Sequence, residues 1–130
     1  VINSGKIVTF IDDHNEFNGD GITYVLIEVL EDEKAGIVES LKNSWNEMPL
    51  PESILKIRGF QNPGDHYFLN VNKLPVSSKT GYYYFFDSQP TWYPDSEEIK
   101  LPIYERKSYN FTLAIMDIEE NKMYIYREDS

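Results

Sequence analysis

The run Ile22 to Leu30, written I-T-Y-V-L-I-E-V-L, does most to limit what this chain can become. It is β-branched and aromatic, and from Tyr24 onward only Glu28 interrupts the apolar side chains. That length and composition predict a strand, and the near-continuous apolar character predicts a central one with both faces at least partly covered. Neighbouring strands must then come from elsewhere in the chain. The nearest is Lys6 to Ile11 (K-I-V-T-F-I). Between the two lies Asn18-Gly19-Asp20-Gly21, a turn signal in which Gly supplies positive φ and Asn and Asp tolerate it. The connection is longer than a tight hairpin, so Asp12 to Phe17 is expected to form an irregular loop or bulged strand ends.

The second half of the chain supplies more strands. Gly81 to Phe86 (G-Y-Y-Y-F-F) places Tyr83 and Phe85 on one face and Tyr82, Tyr84 and Phe86 on the other, because strand side chains alternate. In Tyr109 to Asp117, Phe111, Leu113 and Ile115 alternate with Asn110, Thr112 and Ala114. Lys122 to Arg127 is its expected hairpin partner, turned by Glu119-Glu120-Asn121. Ile54 to Phe60 reads as a further short strand and Gln61 to Asp65 as a turn. His66 to Val71 reads as strand or loop, and Asn72 to Thr80 as loop.

One segment has a helical period. Glu31 to Ser44 carries Val38, Leu41 and Trp45 at helical spacing, with Ala35 and Ile37 beside them, and begins with three acids where the helix dipole favours negative charge. Pro49 and Pro51 forbid its continuation. Strands outnumber helices and do not alternate with them. The expected fold is therefore α+β: a mainly antiparallel sheet of five to seven strands with one helix packed on one face. The 130 residues fit a single domain, 1–130, able to bury a core without staples. The 41% hydrophobic and 15% aromatic content argues against disorder.

The net charge of −10 makes nucleic acid an unsuitable partner, since binding it requires Lys and Arg to neutralise phosphates. The same acidity suits solubility or a basic protein partner. There is no cysteine, which excludes disulfides, thiolate metal sites and Cys nucleophiles. No apolar run approaches the about 20 residues that span a bilayer. The chain begins at Val1, and a removed N-terminal signal or anchor is one reading of that start.

Candidate site residues fall in two places. The first is the polar stretch from Asp12 to Asp20. Asp13, Asn15, Asn18 and Asp20 offer the hard oxygen ligands that calcium takes, although the EF-hand pattern fails with Phe17 at its fifth position and Tyr24 at its twelfth. The competing reading is a hydrated turn whose Asp and Asn side chains bond their own backbone. His14 is a candidate ligand-binding residue. With Asp12, Asp13 or Asp20 it suits acid–base chemistry, and with His66 and carboxylates it would supply zinc ligands. No G-x-S-x-G elbow and no phosphate-binding glycine loop is present. The second place is Asp87 to Glu98, a loop carrying Trp92 and Tyr93. Large rings on loops usually cover a core edge, which is the expectation here; ligand contact is the alternative. Trp45 is expected to cap the core, and some of Tyr82, Tyr84, Tyr124 and Tyr126 to join an exposed patch.

The D-x-H-x-x-F-x-G-D-G run from Asp12 to Gly21 resembles one found in small proteins of Gram-positive Firmicutes that carry a short N-terminal membrane anchor or signal before a domain of about this length. The P-L-P at Pro49 to Pro51 and the ending F-T-L-A-I-M-D with N-K-M-Y-I-Y are similar too. The chain departs from that run with Asn15-Glu16 in place of Gly-Gly and Asn18 in place of a His. The resemblance implies an exported or membrane-anchored domain and assigns no activity. The leading expectation is an extracytoplasmic binding domain, without a catalytic motif or bound cofactor, for a protein or cell-envelope ligand. It meets the membrane only through a removed anchor. The alternatives are an acidic immunity or inhibitor protein, and a small hydrolase or metal-binding protein built on the Asp12 to Asp20 loop.

Overall fold

A computed structural model describes residues 6–14, 21–58, 60–61 and 74–129, with His14 described in its backbone alone. The chain forms a six-stranded antiparallel sheet with few helices, an α+β arrangement. The strands are β1 (Lys6–His14), β2 (Gly21–Glu28), β3 (Asn46–Glu47), β4 (Tyr82–Asp87), β5 (Asn110–Asp117) and β6 (Lys122–Asp129). Their order across the sheet is β1-β2-β6-β5-β4-β3, so the C-terminal hairpin β5–β6 lies between the N-terminal hairpin and β4. The Ile22–Leu30 strand holds an interior position, between β1 and β6.

Alternation divides the side chains between two faces. On the first face β5 contributes Phe111, Leu113 and Ile115, β6 Tyr126 and β2 Tyr24, all essentially inaccessible. Burying each such side chain contributes on the order of 2 kcal/mol. The cover comes from the segment after β3, through Leu50, Ile54, Ile57 and Phe60, and from Ile103 and Tyr109 before β5. Phe60 meets Phe111 edge to face, with ring centroids 6.0 Å apart, and Phe85 stacks on Phe111 at 5.4 Å.

That cover corrects the expected strand at Ile54–Phe60. Glu52–Leu55 is a helical turn, α2, followed by tight turns in which Ile57 N–H bonds Ile54 O and Phe60 N–H bonds Ile57 O. The buried residues Ile54, Ile57 and Phe60 recur every three positions, a helical spacing rather than the period of two a strand needs. Pro51 and Glu52 open the turn as helix starts commonly do.

On the second face lies α1 (Lys34–Leu41), entered through a 3-10 turn at Glu31–Glu33. Ile37, Leu41 and the half-buried Trp45 make the buried stripe, whereas Val38 is only partly covered and Ala35 faces solvent. They pack on Val29, Met116 and Met123, with Ile27 and Tyr82 beside them. The helix ends at Leu41 because Asn43 and Ser44 are weak helix formers, and Trp45 N–H bonds back to Leu41 O.

Asp12, Asp13 and His14, expected in an irregular loop or bulged strand ends, are regular strand and continue β1 in register with Thr23, Ile22 and Gly21 of β2. Strand pairing overrides the weak intrinsic β-preference of Asp. A bulge sits between Ile7 and Thr9 instead. The β5–β6 turn is as expected: the Asp117 carboxylate accepts N–H bonds from Glu119 and Glu120, and Asn121 adopts positive φ.

Candidate interaction surface

The segment between β4 and β5 is long and nearly free of strand. Its composition predicts a loop, and its contacts make it an anchored one. Ser88 follows β4 and starts a single helical turn, α3 (Gln89–Trp92). Two 3-10 turns follow at Glu97–Lys100 and Ile103–Glu105, the first capped by the Ser96 hydroxyl accepting Glu98 N–H.

The central anchor is Arg106, which is 5% exposed. Its Nη1 donates to Asp87 Oδ2 at 2.8 Å, its Nε to Leu101 O at 3.2 Å and its Nη2 to Ile99 O at 3.4 Å. The same Asp87 carboxylate accepts Gln89 N–H, so one ion pair fixes both ends of the segment. A second tie joins Ser88 and Gln89 to β5: Ser88 Oγ donates to Asn110 O at 2.8 Å and Asn110 Nδ2 to Gln89 Oε1 at 2.6 Å. All these polar groups are buried or partly so, where unmade hydrogen bonds would cost about 1–3 kcal/mol each.

From this base the loop holds its rings outward. Trp92 is 60% and Tyr93 51% exposed, so they do not cover a core edge as expected. The buried core cluster takes in Ile103, Tyr109 and Phe60 and not these two rings. Pro90 and Pro94 flank the two rings and limit local backbone freedom.

The other predicted site residues do not assemble. Asp12 and Asp13 are both exposed but lie on opposite faces of β1, so they do not converge as a carboxylate pair. His14 pairs through its backbone with Gly21. Asn15, Asn18, Asp20 and His66 lie outside the described residues, as do the turn at 62–65 and the segment 66–71. Among the described residues no three His, Asp or Glu side chains gather in a metal-binding group. The expected aromatic patch is divided: Tyr126 is fully buried, Tyr82 and Tyr124 are half-buried, and Tyr84 is exposed. Phe10 and Phe86, not singled out from sequence, are exposed on the second face; for Phe86 the strand alternation of G-Y-Y-Y-F-F carried the signal. Arg106 carried none, since its partners lie on the end of β4 and on the turn at Glu97–Lys100, which sequence does not bring together.

Tyr126 shows what burial does here. Its hydroxyl donates to Glu128 Oε1 at 2.6 Å, and burial first, then the Glu128 charge, pushes its ionisation well above the ordinary tyrosine value. Tyr24, buried beside Tyr124, is pushed up to about 12, chiefly by burial. Both act as neutral, packed hydroxyls rather than as acid–base groups. No family model matches the chain, and no curated protein or solved structure is significantly similar to it.

Proposed function

We infer that this is a binding domain that works through the Trp92–Tyr93 loop, with a protein or cell-envelope ligand as its partner. One observation carries the reading: two large rings stay exposed on a segment otherwise tied down by a buried ion pair and a buried amide pair. Rigid aromatic anchors give large contact area at low ordering cost, which is how interfaces use Trp and Tyr. The resemblance to exported Firmicutes proteins supports a place outside the cytoplasm. Among the described residues no helix is long and apolar enough to cross a membrane.

The test compares the parent domain with a Trp92→Ala/Tyr93→Ala variant. Immobilised domain is exposed to solubilised cell-envelope material, and each protein is melted. A ligand retained by the parent and lost from the variant, with melting points within a few degrees, supports the reading. Equal retention, or a collapsed melt, removes it. The net charge of −10 favours a second reading, an acidic immunity or inhibitor protein masking a basic enzyme. Its complex would weaken steeply with added salt.

A further inference from the structure

We propose that the groove between α1 and the β5–β6 turn is a binding site for a free α-amino acid with an apolar side chain. The groove has a volume of about 420 Å3 and is lined by Glu31, Lys34, Ala35, Val38 and Ile118. The first four recur at helical spacing, so they share one flank of α1 and of the 3-10 turn that leads into it. That flank lies beside the stripe of Ile37 and Leu41 that faces the sheet, not within it. Ile118, the residue after β5, forms the opposite wall.

The walls present two charges and an apolar floor. Glutamate and lysine three residues apart on a helix commonly pair with each other. Here Glu31 Oε2 accepts instead from the side-chain amide of Asn121 in the β5–β6 turn. The Lys34 side chain is partly covered, and its ammonium makes no ion pair or hydrogen bond with any described residue. An ammonium held partly out of water gains from a carboxylate placed against it. The Glu31 carboxylate can accept more than one amide bond, because both its oxygens carry lone pairs. Between the two charges Ala35, Val38 and Ile118 present only carbon side chains.

A ligand that satisfies all three features carries an ammonium, a carboxylate and an apolar body close together. An α-amino acid has the first two on one carbon and the third as its side chain. An apolar acid alone would set its carboxylate near Glu31 with no compensating charge, and an apolar amine alone would do the same to Lys34. The volume lies in the range of small-molecule sites. The helical part of the floor, Lys34 to Val38, rises only about 6 Å, too short to seat a partner's helix or strand. The site does not rest on the Trp92–Tyr93 loop. That loop is tied to Asn110 at the start of β5, and the groove lies past Asp117 at its end, about 24 Å along the strand. Either reading can fail without the other.

The test is saturation-transfer NMR on the whole chain with L-leucine and three analogues. Leucinamide lacks the carboxylate, N-acetylleucine lacks the ammonium and glycine lacks the apolar body. Leucine should bind saturably, and each analogue at least about tenfold more weakly, as when a charged hydrogen-bonding group or an apolar contact is lost. In Lys34→Met, which keeps the apolar stem, leucine should weaken to the level of leucinamide, while leucinamide itself does not weaken. Ala35→Glu, at an exposed position, should weaken leucine by placing a charge on the floor. Both variants are melted beside the parent, and the analogue series, which needs no variant, decides the matter if one of them fails to fold. No saturable signal from leucine overturns the proposal. So does any analogue that binds as well as leucine, or equal binding of leucine by the parent and Lys34→Met.

Discussion

Two glycines respond to alanine in opposite directions. Gly36 sits inside α1, where an added Cβ meets nothing within 4 Å, so Gly36→Ala should stabilise by about 0.5–1 kcal/mol by reducing the freedom of the unfolded chain. Gly81, just before β4, has φ of 111° and its Cβ would collide with the Met116 carbonyl. Gly81→Ala should cost more than about 2 kcal/mol, and urea melts of the two variants check both signs. The buried tyrosines predict alkaline sensitivity. Unfolded tyrosine ionises near pH 10, whereas Tyr24 holds its proton to about 12 and Tyr126 beyond it. Below about pH 10 neither state loses these protons and stability is unaffected. Above it the unfolded state alone ionises, and each tyrosine lowers stability by about 1.4 kcal/mol per pH unit until its folded value is passed. Denaturant melts across that range should show this slope, and Tyr126→Phe should make it shallower.

Among the elements, the loop between β4 and β5 depends most on a single side chain. Arg106→Ala would leave Asp87 and two carbonyls without their donor, at a cost of about 3 kcal/mol. Proteolysis should then cut between Trp92 and Leu101 before the sheet unfolds. Arg106→Lys should rescue only in part, because one ammonium cannot reach three acceptors set for a planar fork. Such an anchor could not be read from sequence, since the ion pair joins a strand end to a turn whose path is set by tertiary packing. Elements with a clean period were readable: β4, β5 and β6 fall where alternation puts them, and α1 where Leu41 and Trp45 repeat. Ile54 to Phe60 reads as a strand because a short apolar run fits either period, whereas the chain there forms a helical turn opened by Pro51 and tight turns after it. The general behaviour of large rings places Trp92 and Tyr93 over the core, but whether a ring on a loop packs inward depends on tertiary contacts that its sequence does not carry.

At the scale of the whole molecule, the core is gathered around β5. Leu113 is inaccessible at the centre of the first face, and Leu113→Ala should cost about 2–5 kcal/mol with no change in cooperativity, measurable by calorimetry. The strand order has a kinetic meaning as well. Gly21 of β2 pairs with Asp129 of β6, so the N-terminal hairpin finds its neighbour in the sheet only at the far end of the described chain. Closure of so long a loop comes early in entropy cost and late in reward, which places refolding in the millisecond-to-second range of strand-rich topologies rather than the microseconds of helical ones. A chain emerging from the ribosome makes β1–β2 first and uses them last. Until β6 arrives, the apolar strand at Ile22–Leu30 has one partner at most, and nascent chains stalled before Lys122 should be open to proteases and to chaperones that recognise extended apolar segments.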